Sequence, residues 1–109
     1  ILADEIRIAL GADQIVVAHG DISVSILNAS DVSGSARKLN GKMAEDGFNM
    51  RNVATADKND YPKTIIKYSL NNLEKADIIQ EYLSASYNSL EMIEDPALAF
   101  DVEIVLGNQ

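Results

Sequence analysis

Apolar and polar residues alternate over the first clear element of the chain, with Ile22, Val24 and Ile26 interleaved by Asp21, Ser23 and Ser25. A period of two puts one set of side chains on one sheet face, so a strand is predicted there. A polar stretch from Asn28 to Gly34 follows, rich in residues that favour turns. Ser33 is placed to cap a helix, its hydroxyl accepting from the free N–H groups of the first turn. Ala36, Leu39, Met43 and Ala44 then recur at helical spacing, while Arg37, Lys38, Lys42, Glu45 and Asp46 lie mostly off that stripe. Gly47 stands where a left-handed residue closes a helix. The spacing predicts a helix over 34–46.

Phe48, Met50 and Val53 begin a second strand whose phase slips near Arg51 and Asn52, as a β-bulge would make it. Residues 54–63 are polar, contain Pro62 and form the longest loop. Ile66, Tyr68 and Leu70 alternate with Ile65, Lys67 and Ser69, predicting a third strand over 64–69 with Tyr68 facing the helices. Asn71, with Glu74 three residues on, has the spacing of a capping box. Leu73, Ala76, Ile79 and Leu83 stripe a second helix. Leu90, Met92 and Ile93 suggest a short strand stopped by Pro96, and Val102, Ile104 and Leu106 a last strand closed by Gly107.

From residue 22 the order is β-α-β-β-α-β with one further strand. Two βα units need crossover helices, and crossovers of one hand place both helices on the same sheet face. The expected fold class is α+β: a two-layer sandwich in the split-βαβ style, with an extra C-terminal strand and an N-terminal helix-strand extension. Pattern alone leaves the strand order open. The extension covers residues 1–20, where Ala3, Ile6 and Leu10 suggest a short helix and Ile15-Val16-Val17 a strand. It echoes the far end of the chain: Ala3-Asp4 with Ala76-Asp77, Leu10 with Leu83, and Asp21-Ile22 with Asp101-Val102. Two readings stay open, the tail of a preceding copy of this domain or the chance agreement of periodic apolar patterns. Ile1 rather than Met opens the chain, so a piece of a longer protein is expected, and the lack of a leader says nothing of the parent.

A length of 109 residues fits one domain, and 47% hydrophobic residues against 24% charged are enough to build a core. The balance of 17 acidic and 9 basic side chains gives a net charge of −8. That sign repels phosphate backbones and anionic head groups, which argues against nucleic acid and polybasic membrane docking. No cysteine is present, which excludes disulfides, thiolate metal sites and cysteine nucleophiles. No apolar run approaches the ~20 residues of a membrane helix, so no membrane insertion is expected of this fragment.

An ordered series of short motifs resembles one family. Val24-Ser25-Ile26-Leu27-Asn28-Ala29-Ser30 runs into Ser33-Gly34-Ser35-Ala36 and Leu39. Gly47-Phe48, Thr64-Ile65-Ile66-Lys67-Tyr68 and Ala76 follow, and Asp101-Val102 leads to Val105-Leu106-Gly107. Across residues 22–107 this series resembles the LytR C-terminal domain family, so residues 21–109 are read as that domain and 1–20 as its extension. Ala29 departs from the family, which has glycine there. The resemblance implies a bacterial extracytoplasmic accessory domain, commonly carried behind a LytR-CpsA-Psr catalytic domain in a membrane-anchored parent. Such catalytic domains transfer lipid-linked glycopolymers to peptidoglycan using Arg and Asp around a pyrophosphate. Here Arg7, Arg37 and Arg51 sit one per separate element. The implied partners are such a catalytic domain in the same parent or cell-wall glycan.

Candidate chemistry is sparse. The loop from Asn28 to Gly34 leads into a helix N-terminus, where backbone N–H groups favour anions. Asn28, Ser30, Ser33 and Gly34 are its candidate ligand-binding residues, with Ser35 and Arg37 close by. Asp31 and the absence of a P-loop lysine speak against a nucleotide, and ordinary turn and capping chemistry accounts for Asn28 and Ser33. Tyr61, on the long loop beside Pro62, is the tyrosine expected to be exposed and the candidate for stacking on a sugar. His19 is the single histidine and reads as a surface loop residue, because no second metal ligand or triad partner accompanies it. Glu94-Asp95 and Asp57-Asn59-Asp60 lack the spacing of a calcium loop. No catalytic residue, metal or cofactor is expected, and the chain reads as a non-catalytic interaction domain, with direct binding of wall glycan as the alternative.

Overall fold

Two strand–helix–strand units and a final strand build one five-stranded sheet in the computed structural model, which describes residues 18–57, 61–87 and 90–108. After a 3-10 turn at His19–Asp21 come β1 (Ser23–Asn28), α1 (Ser35–Glu45), β2 (Asn49–Thr55), β3 (Thr64–Tyr68), α2 (Leu73–Leu83), β4 (Leu90–Glu94) and β5 (Val102–Leu106). The fold class is the expected α+β, with the extra C-terminal strand in place. The helix and strand expected over residues 3–17 lie outside the described residues.

The sheet order is β2-β1-β5-β3-β4. β1 runs parallel to both β2 and β5, β3 parallel to β4, and β3 antiparallel to β5. Each helix thus joins neighbouring strands, and β5 enters between the two units. Its composition explains the central place. Val102, Ile104, Val105 and Leu106 are all buried, and a strand apolar on both faces gains most between two others. α1 packs on β1 and β2, and α2 on β3 and β4, so β5 lies under the seam between the helices.

One core joins the layers. Val24 and Ile26 of β1, Leu39 and Met43 of α1, Ile66 of β3, Ile79 and Leu83 of α2, and Ile104 and Leu106 of β5 meet in it. Burying each side chain of this size stabilises by about 1.5–3 kcal/mol. Tyr68 packs against the core, as its phase predicted. The predicted bulge is also present: Val24 pairs with Met50 and Ser25 with Asn52, which leaves Arg51 as the extra residue. β2 is an edge strand, and the bulge together with its polar side chains blunts that edge against further pairing.

The helix ends required corrections. Ser33 does not cap α1; Gly34 holds that position at φ 85°, and no side chain caps the first turn. A left-handed residue immediately before the helix turns the preceding serine away from the free N–H groups. The C-terminal end follows the prediction, with Gly47 at φ 95°. Phe48 N–H donates to Met43 O and Gly47 N–H to Ala44 O, the paired bonds of a Schellman motif, and Phe48 and Met43 share the core. At α2, Asn72 rather than Asn71 is the capping residue; Asn71 takes φ 67°, and the expected capping-box bond is absent. The Asn72 amide instead donates to Ser69 Oγ at 2.5 Å. Leu73 is 50% and Leu70 54% exposed, because β3 ends at Tyr68 and the left-handed turn at Asn71 directs this corner outward. Ala44, expected on the core stripe, is exposed as well.

Candidate functional site

The carboxyl ends of β1 and β5 lie side by side, and the loop after β1 folds over them. Asn28 organises that loop from a buried position. Its Oδ1 accepts from Ser30 N–H at 3.0 Å and from Ser30 Oγ at 2.6 Å, while its Nδ2 donates to Val32 O at 2.9 Å. This is an Asx turn closed on both sides of the amide. Ser30 is also occupied, since its Oγ accepts from Val32 N–H at 3.2 Å. Asn28 and Ser30 therefore build the loop, and their polar atoms are committed within it.

Two hollows flank the loop. The smaller, about 180 Å³, brings together Asn28, Ser33, Gly34 and Arg37 against Val53 and Thr55 of β2. The larger, about 350 Å³, lies on the β5 side and is lined by Ser30, Asp31, Ser35, Tyr87, Leu106 and Asn108. It shares Ser35 and Tyr87 with a neighbouring cleft of about 380 Å³ that continues between α1 and the turn after α2, past Lys38, Leu39, Lys42 and Ser86. The sequence-derived candidates are thus divided between the two sides of one loop. Tyr61 joins neither hollow. It is half-buried rather than exposed, its N–H donating to Ala29 O at 3.3 Å and its O accepting from Asn108 N–H at 2.7 Å. Its backbone ties the long loop to the strand ends.

Tyr87, Lys38, Lys42 and Ser86 were not singled out by the sequence. The spacing of Ser35, Lys38 and Lys42 does mark one stripe of α1, but nothing local says that Tyr87 stands across from it. Burial pushes the Tyr87 phenol above its ordinary value of 10.0. Tyr87 stays a neutral hydrogen-bonding group facing the cleft.

At the opposite end of the seam His19 lies flat on Phe48, and its Nδ1 donates to Asp46 O at 2.9 Å. Tyr82 meets Phe48 edge-on at 4.9 Å, and its hydroxyl donates to Asp46 Oδ2. Desolvation, aided by that bond and by the charges of Asp46 and Glu45, pushes the Tyr82 phenol up to about 12. His19, expected as a surface loop residue, is half-buried in the 3-10 turn and packs on Phe48 there. Beneath α2, Lys75 Nζ pairs with Asp101 Oδ2 at 2.9 Å, and Ser23 N–H donates to the same oxygen at 3.1 Å. Partial burial works against the Asp101 charge, but the Lys75 and Ser23 bonds outweigh it and hold the carboxyl below the usual range. No group of three metal-ligating side chains occurs among the described residues.

Residues 21–109 match the sequence profile of the family described as LytR cell envelope-related transcriptional attenuator. The chain belongs to the LytR C-terminal family. The fold also resembles a crystal structure of the soluble domain of a conserved hypothetical secreted protein from Mycobacterium marinum. The likeness has a TM-score of 0.65 at 25% identity and covers 87% of this chain and 64% of that one. The chain therefore spans less than two thirds of that neighbour. Among curated proteins, none matches the sequence.

Two features of the LytR C-terminal pattern acquire physical reasons here. The closing glycine is Gly107, where a Cβ would stand 2.1 Å from Lys63 O, so the strand end passes the Lys63 backbone with no room for a side chain. Ala29 replaces a glycine without strain, because the left-handed residues among those described are Gly34, Gly47 and Asn71. No helix among the described residues is long and apolar enough to cross a membrane.

Proposed function

We propose that this LytR C-terminal domain is a non-catalytic interaction domain of an extracytoplasmic envelope protein. It would hold a partner, such as a catalytic domain of the same parent chain, close to the cell wall. The observation that carries this reading is the chemistry of the cleft at the ends of β1 and β5. Hydroxyl, amide, lysine and tyrosine groups line it, together with the carboxylate of Asp31. A nucleophile–base pair or a pair of opposed carboxylates, the minimal equipment of a hydrolase or transferase, is not what these groups form. The family's envelope association and the secreted neighbour support an extracytoplasmic setting; a membrane anchor on the parent is part of the proposal.

A second reading, direct binding of wall glycan, is favoured by Tyr87, a half-buried tyrosine lining a hydroxyl-rich cleft. Sedimentation with purified peptidoglycan separates the two. Retention above a size-matched acidic control protein supports direct binding. A domain left in solution that crosslinks to its parent's catalytic domain supports the positioning role. The interaction reading fails if the domain does neither.

A further inference from the structure

In a chain of net charge −8, α1 carries Arg37, Lys38 and Lys42 against Glu45 alone. Lys38 and Lys42 are one turn apart, on the wall that faces the turn after α2. Neither forms an ion pair with a described residue, whereas Lys63 and Lys75 are paired with Glu91 and Asp101. Lys42 also stands 5.9 Å above the Tyr82 ring, which places its ammonium over the seam. Across from these cations are Tyr87 and Ser86, with Leu39 between them as an apolar strip. Acids border the cleft at its two ends, Asp31 beyond Ser30 and Glu45 with Asp46 at the close of α1, and Asp77 and Glu81 line the adjoining hollow on the far side of Tyr87. The α1 wall of the cleft is therefore positive in an otherwise negative molecule, and the acidic groups of α2 lie beyond Tyr87.

From this arrangement we infer that the cleft between α1 and the turn after α2 binds an acidic glycan, with its anionic groups on Lys38 and Lys42 and a sugar face on Tyr87. Lysines act as point charges and take carboxylate or phosphate alike. The aromatic surface and surrounding hydroxyls suit a ring that offers both an apolar face and hydroxyl groups. Duplex nucleic acid has far denser charge, and the chain's overall −8 opposes it at longer range. The inference rests on the second functional reading and names its ligand class.

The test is an NMR titration of the 109-residue chain, with backbone amides assigned. The probes are a galacturonate hexamer for carboxylate, a poly(N-acetylmannosamine phosphate) oligomer for phosphodiester, N-acetylglucosamine tetramer as the neutral sugar, and a ten-nucleotide oligo-dT. The inference expects shifts centred on Ser35, Lys38, Lys42, Ser86 and Tyr87 with one or both acidic glycans. The arm that shifts identifies the anionic group. Affinity should fall at least tenfold in Lys38→Gln/Lys42→Gln and in Tyr87→Leu, and the neutral tetramer should bind at least tenfold more weakly than the acidic probe. The lysines are exposed, so their double variant keeps the fold, which an unchanged amide spectrum verifies. No shifts at millimolar acidic glycan overturn the inference. So do shifts centred elsewhere, affinity unchanged in the lysine variant, or oligo-dT binding as tightly at the same residues. Crosslinking to a parent catalytic domain alongside such a negative result would leave the interaction role standing and remove only the ligand.

Discussion

The imidazole of His19 lies on the ring of Phe48 with centroids 3.9 Å apart and planes only 9° from parallel. His19 enters just before β1, and Phe48 closes α1 and opens β2. The stack therefore fastens the incoming chain to the helix end. His19→Ala should cost about 1 kcal/mol, the range of one aromatic pair. Urea denaturation of the variant against the parent measures it, and an unchanged midpoint would show that the stack carries no stability.

Tyr82 completes the same cluster and gives it an alkaline signature. Its folded value of about 12 lies above the ordinary 10.0, so the folded protein holds the phenol proton more tightly than the unfolded chain. The associated stability is complete below pH 10.0 and is lost as pH rises toward about 12. Tyr82→Phe removes that titration. The variant's stability should fall less steeply than the parent's across this window, as followed by thermal melts at successive pH values.

Asp101 gives the opposite limb. Its folded carboxyl titrates below the ordinary 3.8, so its contribution is present above that pH and disappears as pH falls through the folded value. Asp101→Asn should lower stability at neutral pH and flatten the decline below 3.8. Acid titration monitored by circular dichroism checks both parts, and parallel acid limbs in variant and parent would contradict the assignment.

Gly107 and Gly41 make a paired test of space. A Cβ at Gly107 would press on the Lys63 backbone, which cannot rotate away, so Gly107→Ala should cost about 3 kcal/mol or more. Gly41 lies inside α1 with open space around its missing Cβ, and Gly41→Ala should add about 1 kcal/mol. Opposite shifts in melting temperature are expected, each kilocalorie being worth about 4–8 °C in a domain of this size.

Asn28 is fully employed in its turn, and truncation would strand the buried N–H and hydroxyl of Ser30 and leave Val32 O without its donor. Asn28→Ala should destabilise by about 2 kcal/mol. Asn28→Asp keeps the acceptor but cannot donate to Val32 O, so it should fall between the variant and the parent at neutral pH. Denaturant midpoints rank the three.

Much of the fold was legible because its signals are local. The alternation through Ile22, Val24 and Ile26 located β1, and the broken phase at Arg51 located the bulge. The reading failed at the helix starts and in the exposure of Tyr61 and Ala44. Ser33 and Asn71 are good capping residues by type, but the left-handed backbones of Gly34 and Asn71 moved the caps by one residue. Asp21-Ile22 and Asp101-Val102, which echo each other in sequence, lead into β1 and β5. The two strands are parallel neighbours, with Val24 beside Val102 and Ile26 beside Ile104.

The sequence by itself determined the order of elements, the faces they bury, the bulge and the family, since each is written in residue type and short-range period. Only the tertiary structure decided that β5 passes between the two βαβ units and that Tyr87 stands across a cleft from Ser35, Lys38 and Lys42. The physical reason is that strand pairing and juxtaposition across a seam depend on packing between segments half a chain apart. Periodicity says which way a residue faces, and it does not say what it will meet there.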